Sequence, residues 1–134
     1  MDLTIGMTGT AAVHVTAENT AAAVGSGDLM VFATPYMAAL MEEAAVNCVK
    51  AALTEDQSTV GTQLSISHVS ATPVGMDVRA EASLTAIEGR KLSFQVKAFD
   101  ESGLIGEGTH ERFLIERERF MKKANAKRSE KTEG

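Results

Sequence analysis

The pattern of apolar and polar positions changes character once along the chain, near Thr59. Before it, residues 8–17 alternate, with Val13, Val15 and Ala17 set against His14 and Thr16, and predict a strand. The turn-rich stretch Val24-Gly25-Ser26-Gly27-Asp28 then interrupts the chain. Thr34 is a good helix N-cap and Pro35 suits the first helical position. The helix they open is predicted to run to about Leu53, where Thr54-Glu55-Asp56-Gln57-Ser58 breaks it. From Thr59 onward the period is two. Leu64, Ile66 and His68 share one parity, and Thr72-Pro73-Val74-Gly75 is a turn. Met76, Val78, Ala80, Ala82, Leu84 and Ala86 form the next inward face, reversed at Glu88-Gly89-Arg90 into Leu92, Phe94, Val96 and Ala98. After Asp100-Glu101-Ser102-Gly103, a last strand is predicted from Leu104 to Arg117.

One strand, one long helix and four sequential antiparallel strands make an α+β layout. The helix is apolar nearly all round, from Tyr36 and Met37 through Ala44, Ala45 and Cys48 to Leu53. A helix of that kind is buried. A curved antiparallel sheet wrapped around one long central helix would bury it, and the many alanines allow close approach. This is the hotdog fold.

A chain of 134 residues, 44% hydrophobic and 23% charged, is one domain with enough surface to bury a core. Aromatic residues make up only 4% and the net charge is −5, which speaks against nucleic acid as a partner. The charge is uneven: residues 117–134 carry seven basic and three acidic side chains. The expected division is a single domain over residues 1–120 and a charged, flexible tail over 121–134, frayed from about Ala124. The lone Cys48 allows no internal disulfide, the N-terminus shows no secretory signal, and no apolar run is long enough to span a membrane. The expected location is the cytoplasm, with no membrane partner. Three scattered histidines give no metal-ligand spacing, so no metal is expected.

The polar residues of the apolar helix carry the chemical information. Glu43, Asn47 and Lys50 lie at i, i+4 and i+7 and read as one solvated stripe. Glu42 sits about 100° away, flanked at helical spacing by Ala38, Ala39, Ala45, Val46 and Val49. A carboxylate on such a stripe is costly unless paired, and functional sites tolerate that cost. The plain alternative is that Glu42 lies at the edge of the wet stripe or at a subunit contact. His68 points at the helix layer with Leu64 and Ile66. A lone histidine there is ordinarily a hydrogen-bonded core residue, but Glu42 is a candidate partner, and a His–Glu pair performs acid–base chemistry near neutral pH. His110 lies in Gly106-x-Gly108-x-His110-x-Arg112, whose glycines mark close backbone approach or a bent strand end. His14 reads as exposed. Thr34 is first of all a cap, although a helix N-terminus also suits a developing oxyanion.

The string Gly27-Asp28-Leu29-Met30-Val31-Phe32-Ala33-Thr34-Pro35, followed by Ala39-Leu40-Met41-Glu42-Glu43-Ala44-Ala45, is distinctive in combination. With Val60-Gly61-Thr62, the strand ending at His68 and the Gly106-to-Arg112 run, it resembles the fluoroacetyl-CoA thioesterase-like branch of the hotdog thioesterases, over roughly residues 8 to 117. The resemblance implies hydrolysis of a short-chain acyl-CoA to free acid and CoA, without a cofactor. It implies catalytic positions at Thr34, Glu42 and His68, an acyl-pocket glycine at Gly61 and an arginine at the pocket base at Arg112. It also implies a homodimer or higher homo-oligomer with sites at the subunit interface. One departure is visible: the aromatic lid of the fluoroacetyl-selective enzyme has no phenylalanine counterpart in Val24-Gly25-Ser26-Gly27-Asp28.

Eight residues of helix separate the Thr34 and Glu42 backbones by about 12 Å. Either substrate and His68 lie between them, or a two-fold axis brings Thr34 of one chain near Glu42 of another. Two other functions fit a hotdog fold: a non-catalytic module that binds an acyl-CoA, and a dehydratase acting on a 3-hydroxyacyl thioester.

Overall fold

The computed structural model describes residues 2–133. The strands are β1 (Thr8–His14), β2 (Gln57–His68), β3 (Asp77–Glu88), β4 (Lys91–Asp100) and β5 (Gly103–Glu116). The helices are the short α1 (Ala21–Val24), the long α2 (Thr34–Val49) and the C-terminal α3 (Arg117–Glu133). The five strands form one antiparallel sheet in the order β1-β3-β4-β5-β2. The sheet curls around α2, as the hotdog fold requires. The Glu88–Lys91 reversal is tight enough to need Gly89 at φ 62°.

The core lies between α2 and the concave face of the sheet. Met37, Met41, Ala44, Ala45 and Val49 of α2 meet Val78, Ala80, Ala82 and Leu84 of β3 and Phe94, Val96 and Ala98 of β4, all buried. Short side chains on both surfaces let helix and sheet approach closely. The approach is close at Gly9 of β1. A Cβ added there would collide with the Ala44 carbonyl and the Cys48 backbone. The Cys48 thiol donates to the Met7 carbonyl at 3.1 Å, and Asn47 donates through Nδ2 to the Thr10 carbonyl at 2.8 Å.

Two expectations about the long helix differ from the structure. The helix ends at Val49 and passes into a 3-10 turn over Lys50–Ala52, instead of running on to Leu53. Its burial is one-sided: Tyr36 is 41% and Val46 38% exposed, and Ala39 is exposed beside them. One five-stranded sheet covers one side of a helix, and α2 is apolar on more than one side. Residues Arg117–Glu133, which include the segment expected to form a charged tail, make up α3 directly after β5. Its Lys, Arg, Glu and Ala residues are strong helix formers. The side chains of Arg117 to Arg128 are exposed, so no apolar stripe had to announce that helix.

Candidate active site

The segment before α2 is pinned to the loop after β2. Phe32 N–H donates to the Thr72 carbonyl at 2.8 Å, Ala33 N–H donates to the Asn19 carbonyl at 3.0 Å, and Val31 bridges to Pro73. Beyond the end of β2, Val69 N–H donates to the Ile105 carbonyl at 2.7 Å. These bonds set the first residue of α2 against the last residue of β2. Thr34 Oγ1 lies 2.7 Å from His68 Nδ1.

Thr34 is therefore not the cap that the sequence suggests. Ala33 occupies the N-cap, with no side-chain cap bond, and Thr34 is the first helical residue. Its hydroxyl is committed to His68. The first helical bond runs from Met37 N–H to the Ala33 carbonyl at 3.0 Å. Pro35 has no N–H, so the Thr34 and Tyr36 N–H groups stand outside the helical ladder at its positive end. His68 is partly buried, and burial pulls its pKa below the ordinary histidine value. Among the described residues, its Nε2 is the buried side-chain nitrogen or oxygen left without a hydrogen-bond partner.

A second cluster sits further along α2. Glu42 was expected in an apolar enclosure with His68 as partner. Its side chain is instead 42% exposed, and Oε2 pairs with Arg112 Nη1 at 3.4 Å. Arg112 is buried on β5, where burial pulls its pKa down. Its Nε donates to Thr59 Oγ1 at 2.8 Å and its Nη2 to the Thr59 carbonyl at 3.0 Å. The planar fork of a guanidinium suits that double contact. His110 Nε2 lies 3.1 Å from Arg112 Nη1, and His110 Nδ1 lies 2.7 Å from the Gln63 carbonyl.

Gly61 pairs across the sheet with Arg112. A Cβ added at Gly61 would stand 2.7 Å from Glu42 Oε2, 3.2 Å from Arg112 Nη1 and 3.3 Å from His110 Cε1. Its bare Cα is what leaves room for the carboxylate.

The two clusters are apart within one chain. Thr34 and Glu42 are separated by about two turns of helix, 12 Å along the axis. His68 pairs with Gly106, and Gly61 with Arg112, so six residues of β5 separate the sheet positions by about 20 Å. The structure thus brings Thr34 to His68, and Glu42 to Gly61 and Arg112, but does not bring Glu42 to His68. Sequence reading missed Thr59 and left His110 undecided. Parity placed His110 and Arg112 on one face but did not reveal Thr59 as their neighbour. His14 is exposed, as expected, and bonds Asp77 Oδ1 at 2.8 Å. Among the described residues, no three His, Cys, Asp or Glu side chains gather in a metal-holding arrangement, and no helix is long and apolar enough to cross a membrane.

The model of the fluoroacetyl-CoA-specific thioesterase family matches residues 15–118. The chain belongs to that family. It is similar to the fluoroacetyl-CoA thioesterase of Streptantibioticus cattleyicolor, at 43% identity over 97 residues, 72% of this chain and 70% of that one. A solved structure of a fluoroacetyl-CoA thioesterase superposes with a TM-score of 0.87 at 34% identity, covering 95% of this chain and 98% of the other. A Thermus thermophilus protein described as a thioesterase superfamily member superposes with a TM-score of 0.90 at 25% identity, covering 98% and 97%. By its family the chain is a thioester hydrolase with the hotdog fold, acting on acyl-CoA.

Proposed function

We propose that the protein hydrolyses a short-chain acyl-CoA thioester to free acid and CoA in the cytoplasm, with Thr34, Glu42 and His68 as its catalytic side chains. The observation that carries this reading is the orphaned Nε2 of His68, buried beside a hydroxyl at the open end of a helix. A buried ring nitrogen without a partner is costly, and a substrate or attacking water would satisfy it.

Hydrolysis adds water across the C–S bond. Glu42 either takes a proton from the attacking water or attacks the carbonyl carbon itself, in which case water then cleaves the resulting acyl–glutamyl anhydride to release the acid and restore the carboxylate. The oxyanion forms near the free N–H groups at the start of α2, where the helix dipole favours negative charge. When the C–S bond breaks, the thiol needs little help, since a thiolate with a pKa near 8.5 is a fair leaving group. His68 moves the proton between water and sulfur, held in orientation by Thr34. Gly61 and Arg112 line the base of the acyl pocket, Gly61 by leaving space and Arg112 by holding the carboxylate.

Because the two clusters are about 12 Å or more apart along α2, the working site is composite. Thr34 and His68 of one chain face Glu42 of a second copy in a homodimer. The uncovered side of α2, with Tyr36, Ala39 and Val46, and the outer edge of β2 supply the surface for that partner.

Thiol release from acetyl, fluoroacetyl, branched and aromatic CoA esters tests the reading. Turnover of a short ester, lost in Glu42→Gln with ligand binding retained, is the expected result. Binding without thiol release from any ester would make the chain a binding module, and wild-type rates in Glu42→Gln would remove the carboxylate from the mechanism.

A further inference from the structure

His110 is buried to 1% exposure, yet it is not a passive core residue. Its Nδ1 is 2.7 Å from the Gln63 carbonyl, and a carbonyl only accepts, so Nδ1 carries the hydrogen. Its Nε2 is 3.1 Å from Arg112 Nη1, and a guanidinium only donates, so Nε2 is bare. Both contacts are satisfied only by the neutral Nδ1–H tautomer. The ring of Phe94 lies 6.0 Å away, centroid to centroid, and walls the imidazole from β4. The groups facing it are Arg112 on β5, Glu42 on α2 and the Gln63 carbonyl on β2. Burial first, and then the Arg112 charge, hold its pKa below the ordinary histidine value, against the opposing Gln63 bond and Glu42 charge.

The consequence falls on Arg112. Its Nη1 has two hydrogens and two acceptors in reach, His110 Nε2 at 3.1 Å and Glu42 Oε2 at 3.4 Å. With Nε and Nη2 fixed on Thr59, the imidazole takes one Nη1 hydrogen and leaves the other for the carboxylate. We propose that His110 is a positioning residue, whose bare Nε2 sets the Arg112 guanidinium so that a single hydrogen meets Glu42. The carboxylate is then oriented without being fully neutralised, as suits a group that must attack or accept a proton. This rests on the reading of Glu42 as the reacting carboxylate.

Glutamine places an acceptor oxygen where Nε2 stands, whereas asparagine reaches only the Nδ1 position. Acetyl-CoA hydrolysis by His110→Gln is expected to keep kcat within about threefold of the parent. His110→Asn is expected to lose at least about tenfold in kcat, with KM within about twofold. Equal, parent-like kcat in both folded variants would overturn the proposal. Because a buried substitution can prevent folding, the parent is also read directly by 15N NMR of its imidazoles. The expected signature for His110 is a neutral Nδ1–H ring at pH 7 to 8, above the ordinary histidine value below which burial holds it. An Nε2–H or doubly protonated ring would overturn the proposal regardless of any variant. Glu42→Gln separates the two claims. If that variant keeps full turnover, the reading of Glu42 fails while the NMR result still stands for Arg112. If it is dead while His110→Asn is unaffected, only the positioning role fails.

Discussion

Thr34 Oγ1 meets His68 Nδ1 at 2.7 Å, joining the first residue of the long helix to the last residue of the strand that follows it. The bond holds the imbalance of the site: one ring nitrogen is satisfied and the other, Nε2, is buried and orphaned. Removing the hydroxyl leaves the ring free to rotate. Thr34→Val should therefore lower kcat for acyl-CoA hydrolysis by about 10²-fold, in the range of a lost general acid–base or orienting group. Thr34 does not act as the helix cap, so its stability cost should be small, and Thr34→Ser should restore most of the rate. Circular-dichroism melts beside steady-state kinetics check both parts. A large loss of stability with little loss of rate would return Thr34 to a structural role.

Acid should remove activity and stability together. Burial holds His68 below the ordinary histidine value, near 6.5, so it is neutral at pH 7, the form the proposed proton transfer needs. Thiol release should rise with pH along an acid limb whose midpoint lies below about 6.5, then level off. His68 and His110 both have depressed folded-state values. Their stabilising contribution is complete above the unfolded value of about 6.5 and is lost as pH falls through the folded values, at up to about 1.4 kcal/mol per pH unit for each. Melting temperature measured from pH 8 to 5 should hold at first and decline below about 6.5. A decline that is unchanged in the His68→Gln and His110→Gln variants would assign it to other groups.

Gly61 separates fold from function. A methyl group there would press 2.7 Å against the free end of the Glu42 side chain, which can swing toward solvent. Gly61→Ala should therefore fold with a melting temperature within a few degrees of the parent, roughly a 1 kcal/mol effect at most. The displaced carboxylate should lower kcat/KM at least about tenfold. Parent-like kinetics would mean that the position of Glu42 does not matter to the reaction.

The sequence carried the element order well, because period-two alternation and the apolar run from Tyr36 to Val49 are strong local signals, but the inward faces only as far as the register shifts at Leu84/Ala86 and Ala98/Phe99, beyond which Ile87 and not Ala86 packs on the core and Ile105 and not Leu104 is buried. It carried the rung less well. Alternation assigned His68 to the helix side of β2 without saying that Thr34, and not Glu42, would stand opposite. That depends on the loop bonds of Phe32, Ala33 and Val69. Nor did it reveal that β2 crosses to the outer edge beside β5, which sets Gly61 against Arg112 and gives Glu42 its actual partner. The uncovered side of α2 looked like core because composition reports apolar surface, not what covers it.

The composite site is tested most directly by mixing two inactive proteins. Glu42→Gln retains Thr34 and His68, and His68→Ala retains Glu42. If the site spans two chains, co-refolding equal amounts yields mixed dimers with one complete site each, and about a quarter of parent acyl-CoA hydrolysis should return. If all catalytic groups act within one chain, no pairing rebuilds a complete site, and an inactive mixture containing verified mixed dimers would contradict the account.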